Sequence, residues 1–92
     1  MARYYFHLRD GTDELLDEEG CEYGSLELMR TAVLLSARDL LSGDIKGGVI
    51  DLRFRIDAED ELGAIVYSLP FKHAFSLIPE EPGGIGKSIG AE

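Results

Sequence analysis

The chain has 92 residues, of which 45% are hydrophobic and 29% charged, a composition typical of one small globular domain. Nine basic and eighteen acidic residues give a net charge of −9, which disfavours binding to phosphate backbones and anionic membrane surfaces. The single cysteine, Cys21, excludes an intramolecular disulfide and a cysteine-rich zinc site. The sequence has neither a signal-peptide pattern nor a long apolar run, so we expect a cytoplasmic protein without membrane association.

The first predicted element is a β-hairpin. Residues 3–9 alternate with the period of a strand, which puts Tyr4, Phe6 and Leu8 on one face and Arg3, Tyr5, His7 and Arg9 on the other. Residues 10–13 have turn chemistry, and residues 14–17 predict a short returning strand.

A helix is predicted over residues 25–41. Its core-facing stripe, at steps of three or four residues, consists of Leu26, Met29, Val33, Ala37 and Leu40. Ser25 is suited to cap the N-terminus, and Gly43, just beyond the last apolar residue, predicts the end of the helix.

Two further strands follow. Residues 50–57 alternate strictly between apolar and charged side chains, which predicts a strand with one solvent-facing side. A polar turn over residues 58–63 leads to a strand over residues 64–71, in which Pro70 is typical of a sheet edge. The inward side chains of this last strand are predicted to be Ile65, Tyr67, Leu69 and Phe71.

These elements predict an α+β fold of order ββαββ, with one helix packed on one face of a four-stranded, mostly antiparallel sheet. The strand order two, one, three, four follows if the chain reverses at each connection. Residues 1–78 form the predicted single domain, and residues 79–92 a disordered glycine-rich tail. Residues 83–88 resemble the end of a phosphate-binding loop, but Glu81 stands where the opening glycine belongs.

No catalytic, metal-binding or cofactor-binding residue is predicted. Neither His7 nor His73 has neighbours at the spacing of a metal site, and no nucleophile elbow supports a catalytic triad. The acidic residues between 10 and 22 lack the glycine position of a calcium loop and are interpreted as a solvated segment on which a basic partner could dock. We therefore expect a protein that is not an enzyme and needs no cofactor.

A candidate partner-binding face lies on the side of the sheet opposite the helix, where alternation places Tyr5, His7, Arg9, Arg53 and Arg55. Aromatic rings beside arginines are typical of single-stranded nucleic-acid binding. Asp51 and Asp57 are predicted to lie on the same face and to form cross-strand ion pairs. Internal pairing, or an unidentified protein partner, is therefore favoured over nucleic acid.

A candidate self-association surface lies on the outer side of the predicted helix, at Leu28, Leu34, Leu35 and Leu41. Contiguous leucines without an obvious partner predict a homo-oligomer, most simply a two-fold dimer. The competing interpretation is that the segment after Phe71, with Phe75, Leu77 and Ile78, folds back over these leucines.

The sequence resembles two known families. The opening Arg-Tyr-Tyr-Phe-His-Leu-Arg-Asp-Gly at residues 3–11, with Asp-Glu-Glu-Gly at 17–20 and Leu-Pro-Phe at 69–71, resembles a family of small bacterial proteins catalogued only as a domain of unknown function. This resemblance covers roughly residues 3–75 and implies no activity. Gly20-Cys21 and Ser25-Leu26-Glu27 are similar to antitoxin domains of the HicB type, although Glu19 replaces a usual proline and no DNA-binding segment follows.

Function thus remains unknown from sequence. The interpretation favoured by the residues is a non-enzymatic protein-binding or self-associating module. The alternatives are an antitoxin-like regulator and a weak single-stranded nucleic-acid binder that uses the open sheet face.

Overall fold

The structure is a computed structural model that describes residues 1–80. Its elements are β1 (Ala2–Arg9), β2 (Glu14–Leu15), β3 (Cys21–Tyr23), α1 (Leu26–Gly47), β4 (Arg55–Glu59), β5 (Ile65–Pro70) and a 3₁₀ turn at Phe71–His73. The motif at residues 83–88 and all but two residues of the predicted tail lie outside the described residues.

The sheet is antiparallel, with the order β2-β1-β4-β5. The predicted α+β class and strand order are confirmed, and the structure adds the short strand β3. β2 pairs with the C-terminal end of β1, and β3 pairs with its N-terminal end. Between the parts of β1 that pair with β3 and β2, the Asp17 carboxylate accepts a hydrogen bond from the Phe6 backbone N–H at 3.1 Å. A side chain thus supplies the hydrogen bond that a neighbouring strand would otherwise make.

The hydrophobic core lies between α1 and the sheet. The helix contributes Met29, Val33, Ala37 and Leu41, and the strands and the turn after them contribute Ile56, Ala58, Leu69, Phe71 and Ala74. The predicted core positions Leu26 and Leu40 are wrong, because both side chains are about half exposed. The buried helical residues instead recur at every fourth position, so the stripe turns gradually around the axis, which suits a helix crossing a twisted sheet.

The N-terminus of α1 was correctly predicted and its C-terminus was not. Ser25 caps the helix, since its Oγ accepts the Leu28 N–H at 3.1 Å. The helix continues through Gly43 and ends at Gly48, which has the left-handed conformation with φ of 88°. A glycine inside a helix costs only about 1 kcal/mol and need not end it, whereas Gly48 has the positive φ that commonly terminates a helix.

Gly43→Ala is therefore expected to raise the free energy of unfolding by roughly 0.5–1 kcal/mol, because a Cβ at this helical position meets no atom within 4 Å. Gly48→Ala is the matched variant and should lower it by about 1 kcal/mol, since alanine is strained at positive φ. Urea denaturation of both variants measures the difference. Destabilisation by Gly43→Ala would mean that the helix ends where the sequence predicted.

β4 begins five residues later than predicted. Asp51 accepts the Arg53 backbone N–H at 3.0 Å and also pairs with its guanidinium at 2.8 Å, which closes a local turn. Arg55 faces Arg9, the last residue of β1, on one side and Pro70, the last residue of β5, on the other, so earlier residues face neither strand. The alternation over residues 50–54 therefore belongs to a turn and an irregular segment, and not to the sheet.

β5 occupies the edge of the sheet, as Pro70 predicted. Leu69 and Phe71 are buried and Tyr67 packs against the core, in agreement with the sequence. Ile65 is nearly half exposed, so its predicted inward position is wrong. The cause is a register irregularity next to Ala58, which displaces the start of β5 from regular alternation.

Candidate functional site

The sheet face opposite α1 carries a polar network centred on Asp57. This carboxylate is 3% exposed and accepts hydrogen bonds from Arg9 Nη1 at 2.9 Å, from Arg55 Nε at 3.1 Å and from the Ser68 hydroxyl. β1, β4 and β5 each contribute at least one of these groups. The network therefore ties three neighbouring strands together through their side chains.

Hydrogen bonding governs the protonation of Asp57. Burial acts to raise the pKa of its carboxyl group, but the bonds from Ser68, Arg9 and Arg55 outweigh it, so the pKa lies below its ordinary value. Arg9 also donates to Glu14 at 2.7 Å, and the two carboxylates, Glu14 first, hold the pKa of Arg9 above its ordinary value. Both partners are thus charged at neutral pH.

His7 lies beside this network and is buried. The backbone N–H of Asp17 donates to Nδ1 at 3.1 Å, so Nδ1 carries no proton and the imidazole N–H is at Nε2. Nε2 then donates to Glu59 Oε1 at 2.9 Å. Both ring nitrogens are occupied by protein groups, which leaves His7 neither as a free base nor as a free metal ligand.

Asp17 holds the connection between β2 and β3. Its carboxylate accepts backbone N–H bonds from Phe6, Glu19 and Gly20. Burial acts to raise the pKa of Asp17, and these amide bonds, that of Gly20 first, outweigh it and lower the pKa. Asp17 therefore positions the main chain whose N–H fixes the His7 tautomer.

Not all of the residues predicted for this face lie on it. His7, Arg9 and Arg55 lie on it and are engaged in the bonds above, and the predicted pairing with Asp57 is present. The ring of Tyr5 lies over Gly20. Arg53 is not on the face, because its predicted strand position is in fact a turn before β4, where it pairs with Asp51.

Sequence reasoning missed three members of the network, namely Asp17, Glu59 and Ser68. The alternation of β4 and β5 places Glu59 and Ser68 on this side of the sheet. Only the register between the strands shows that Glu59 meets His7 and that Ser68 meets Asp57. The face has three guanidinium groups, those of Arg3, Arg9 and Arg55, against four bonded carboxylates, those of Asp57, Glu14, Glu22 and Glu59, so it is not a cationic surface. Within residues 1–80 no cluster of three or more His, Cys, Asp and Glu residues is arranged to hold a metal ion.

Two of the four leucines predicted to form the self-association surface are exposed on the outer face of α1. Leu28 and Leu35 are 58% and 57% exposed. Leu41, which was predicted to be exposed, is buried in the core because it continues the four-residue spacing of the buried stripe, and Leu34 packs partly against the core. Phe75 also packs there, but Leu77 and Ile78 are largely exposed, so the segment after Phe71 does not cover the outer leucines.

These features define a small α+β domain with an internally paired polar sheet face and an exposed apolar stripe on α1. A family model described as Domain of unknown function (DUF6894) matches residues 3–72, and the chain belongs to this family. Membership in a family without an assigned activity confirms the first resemblance, whereas the likeness to HicB-type antitoxins stays a prediction.

No curated protein and no solved structure matches the chain. None of the helices in the described part of the chain has the length and apolar character needed to cross a membrane.

Proposed function

We propose that the protein is a non-enzymatic, self-associating module that forms a two-fold dimer through the outer face of α1. The observation that carries this proposal is the exposure of Leu28 and Leu35, seven residues apart and on the side of the helix away from the core. Thr31 and Ala32, the residues between them on this face, are small and allow a second helix to approach closely. A two-fold axis would bury the same stripe on both subunits.

The energetics favour a dimer of modest affinity. Fully burying an exposed leucine contributes about 1.5–3 kcal/mol. Leu28 and Leu35 are slightly more than half exposed in the monomer, so the four leucines of a dimer contribute about 3–7 kcal/mol. Association costs about 4–15 kcal/mol in lost translational and rotational freedom, a range that overlaps the gain from burying the leucines. The charge of −9 on each chain adds a repulsion that salt screens, so association should strengthen as ionic strength rises.

Two observations support the non-enzymatic part of the proposal. Asp57 and His7, the buried polar side chains of the described residues, make their hydrogen bonds to neighbouring groups of the sheet face. Neither lines the cleft beside the C-terminal end of α1, the cleft between α1 and β2, or the cleft at the β1–β2 turn. A reducing, cytoplasmic setting is part of the proposal, supported by Cys21 as the only cysteine of the chain.

Sedimentation velocity tests the dimer. At about 100 μM, where an interface of modest affinity is populated, the wild type is expected to sediment as a dimer and Leu35→Glu as a monomer. Leu62→Glu is the matched control, because Leu62 is almost fully exposed in the turn before β5 and the substitution adds the same charge. A wild type that stays monomeric at both low and high salt, or a Leu35→Glu variant that dimerises like Leu62→Glu, would contradict the proposal.

A further inference from the structure

The last six residues of α1, 42–47, lie beyond the buried stripe of the helix. β4 begins only at Arg55, and the buried stripe of the helix ends at Leu41. One turn further along, Ile45 is 63% exposed. In place of a strand, Ile50 and the segment after the 3₁₀ turn lie beside this part of the helix, and together they enclose a cleft of about 470 Å³.

The lining of this cleft combines apolar side chains with positive charge. Its apolar part consists of Leu41, Ile45, Ile50, Phe75 and Leu77, and among residues 1–80 its only charged lining residues are Arg38 and Lys46. Acidic residues outnumber basic ones two to one in this chain, yet no acidic residue of the described range 1–80 lines the cleft.

Arg38 and Lys46 also differ from most other cations of the protein. Arg38 Nε donates to the Ala74 carbonyl at 2.7 Å, but within the described residues neither Arg38 nor Lys46 makes an ion pair. Four of the other arginines are neutralised by carboxylates, namely Arg3, Arg9, Arg53 and Arg55. The cleft therefore places two cations without carboxylate partners at the border of an apolar surface.

From this juxtaposition we infer that the cleft binds a medium-chain aliphatic carboxylate. The alkyl chain lies against Ile45 and Phe75, and the carboxylate is held by Lys46 and Arg38. The volume falls within the roughly 300–1,000 Å³ of small-molecule sites, which are mostly apolar with a few polar groups that fix orientation. Leu28 and Leu35 do not line the cleft, so this inference is independent of the dimer.

Isothermal titration calorimetry of the full chain with decanoate tests the inference. Saturable binding of one decanoate per chain is expected. Decyltrimethylammonium, which has the same alkyl chain and the opposite charge, should bind at least tenfold more weakly. Lys46→Gln should weaken decanoate binding roughly two- to fivefold, the range expected for an exposed charge pair. Lys72→Gln is the matched control and should leave it unchanged, because Lys72 is exposed and does not line the cleft.

Ile45→Asp is the second test, since it places a carboxylate on the apolar wall at an exposed position that the fold tolerates. It should weaken decanoate binding at least tenfold while the unfolding curve stays close to that of the wild type. Absence of decanoate binding, equal binding of the cationic amphiphile, or unchanged affinity in both cleft variants would overturn the inference.

Two other occupants of the cleft would give distinct results. Loss of dimerisation in Ile45→Asp would identify a second copy of the chain as the occupant. Nuclear Overhauser effects between the methyl groups of Ile45 and those of Ile85 or Ile89 in the free chain would show that the C-terminal residues fill the cleft. Either result would overturn the inference, and neither depends on the Leu35→Glu test.

Discussion

Asp57→Asn is expected to lower the free energy of unfolding by about 3 kcal/mol at neutral pH. The substitution keeps the shape of the side chain and removes the charge that balances Arg9 and Arg55 on the buried part of the sheet face. Breaking a buried ion pair typically costs about 3–5 kcal/mol, and the lower end applies because the Arg55 side chain is 41% exposed and partly screened by water. Urea denaturation measures the change.

Asp57→Asn should also lose less stability than the wild type when the pH is lowered. The pKa of Asp57 in the folded chain is lower than in the unfolded chain, where it is about 3.9. Its contribution is therefore complete above the unfolded value and is lost as pH falls through the folded one. The difference in unfolding free energy between the wild type and Asp57→Asn should therefore be smaller at about pH 3 than at about pH 7.

Asp13→Asn provides the control for both measurements, because Asp13 is exposed and its side chain makes no hydrogen bond in the described residues. It should behave like the wild type at either pH. An Asp57→Asn variant with the acid sensitivity of the wild type would show that Asp57 does not stabilise the sheet through its charge.

Gly20→Ala should be similarly destabilising, by about 3 kcal/mol. Gly20 has a φ of 70°, where alanine is strained by about 1–2 kcal/mol. A Cβ at this position would also lie 2.8 Å from the Tyr4 carbonyl oxygen and 2.8 Å from the Tyr5 ring, and such overpacking costs about 1–3 kcal/mol. Thermal or urea unfolding would reveal the loss.

Gly63→Ala separates the two causes. Gly63 has a comparable φ of 87°, but a Cβ there meets no atom within 4 Å. This control should lose only about 1 kcal/mol, the strain alone. Equal losses in Gly20→Ala and Gly63→Ala would mean that the approach of Tyr4 and Tyr5 to Gly20 does not constrain the fold.

The elements that the sequence predicted well are those whose signal is local. The alternation of β1 and the Ser25 cap each depend on neighbouring residues, and both appear as expected. The misplaced boundaries depend on distant partners. β4 starts at Arg55 because both of its neighbours end there, β1 at Arg9 and β5 at Pro70. Local alternation at residues 50–54 carries no information about that limit.

The same distinction between local and long-range determinants applies to the polar network. Arg9, Arg55 and Asp57 could be assigned to one face from the period of their strands, so their pairing was predictable. The contribution of Asp17 was not, because it depends on a side chain reaching the main chain of β1 between two short strands. Leu41 was likewise assigned to the surface, since the sequence does not reveal how the helical stripe turns across the sheet.

Pro70 limits how the sheet can grow. The Phe71 N–H donates to the Phe54 carbonyl at 3.0 Å, so by antiparallel alternation Leu69 directs its backbone groups toward β4 and Pro70 directs its own away from the sheet. Proline has no N–H to offer an incoming strand at that outward position. The free edge of β5 is thus a poor template for strand addition, so the dimer proposed through α1 would not extend at this edge into an open-ended fibre.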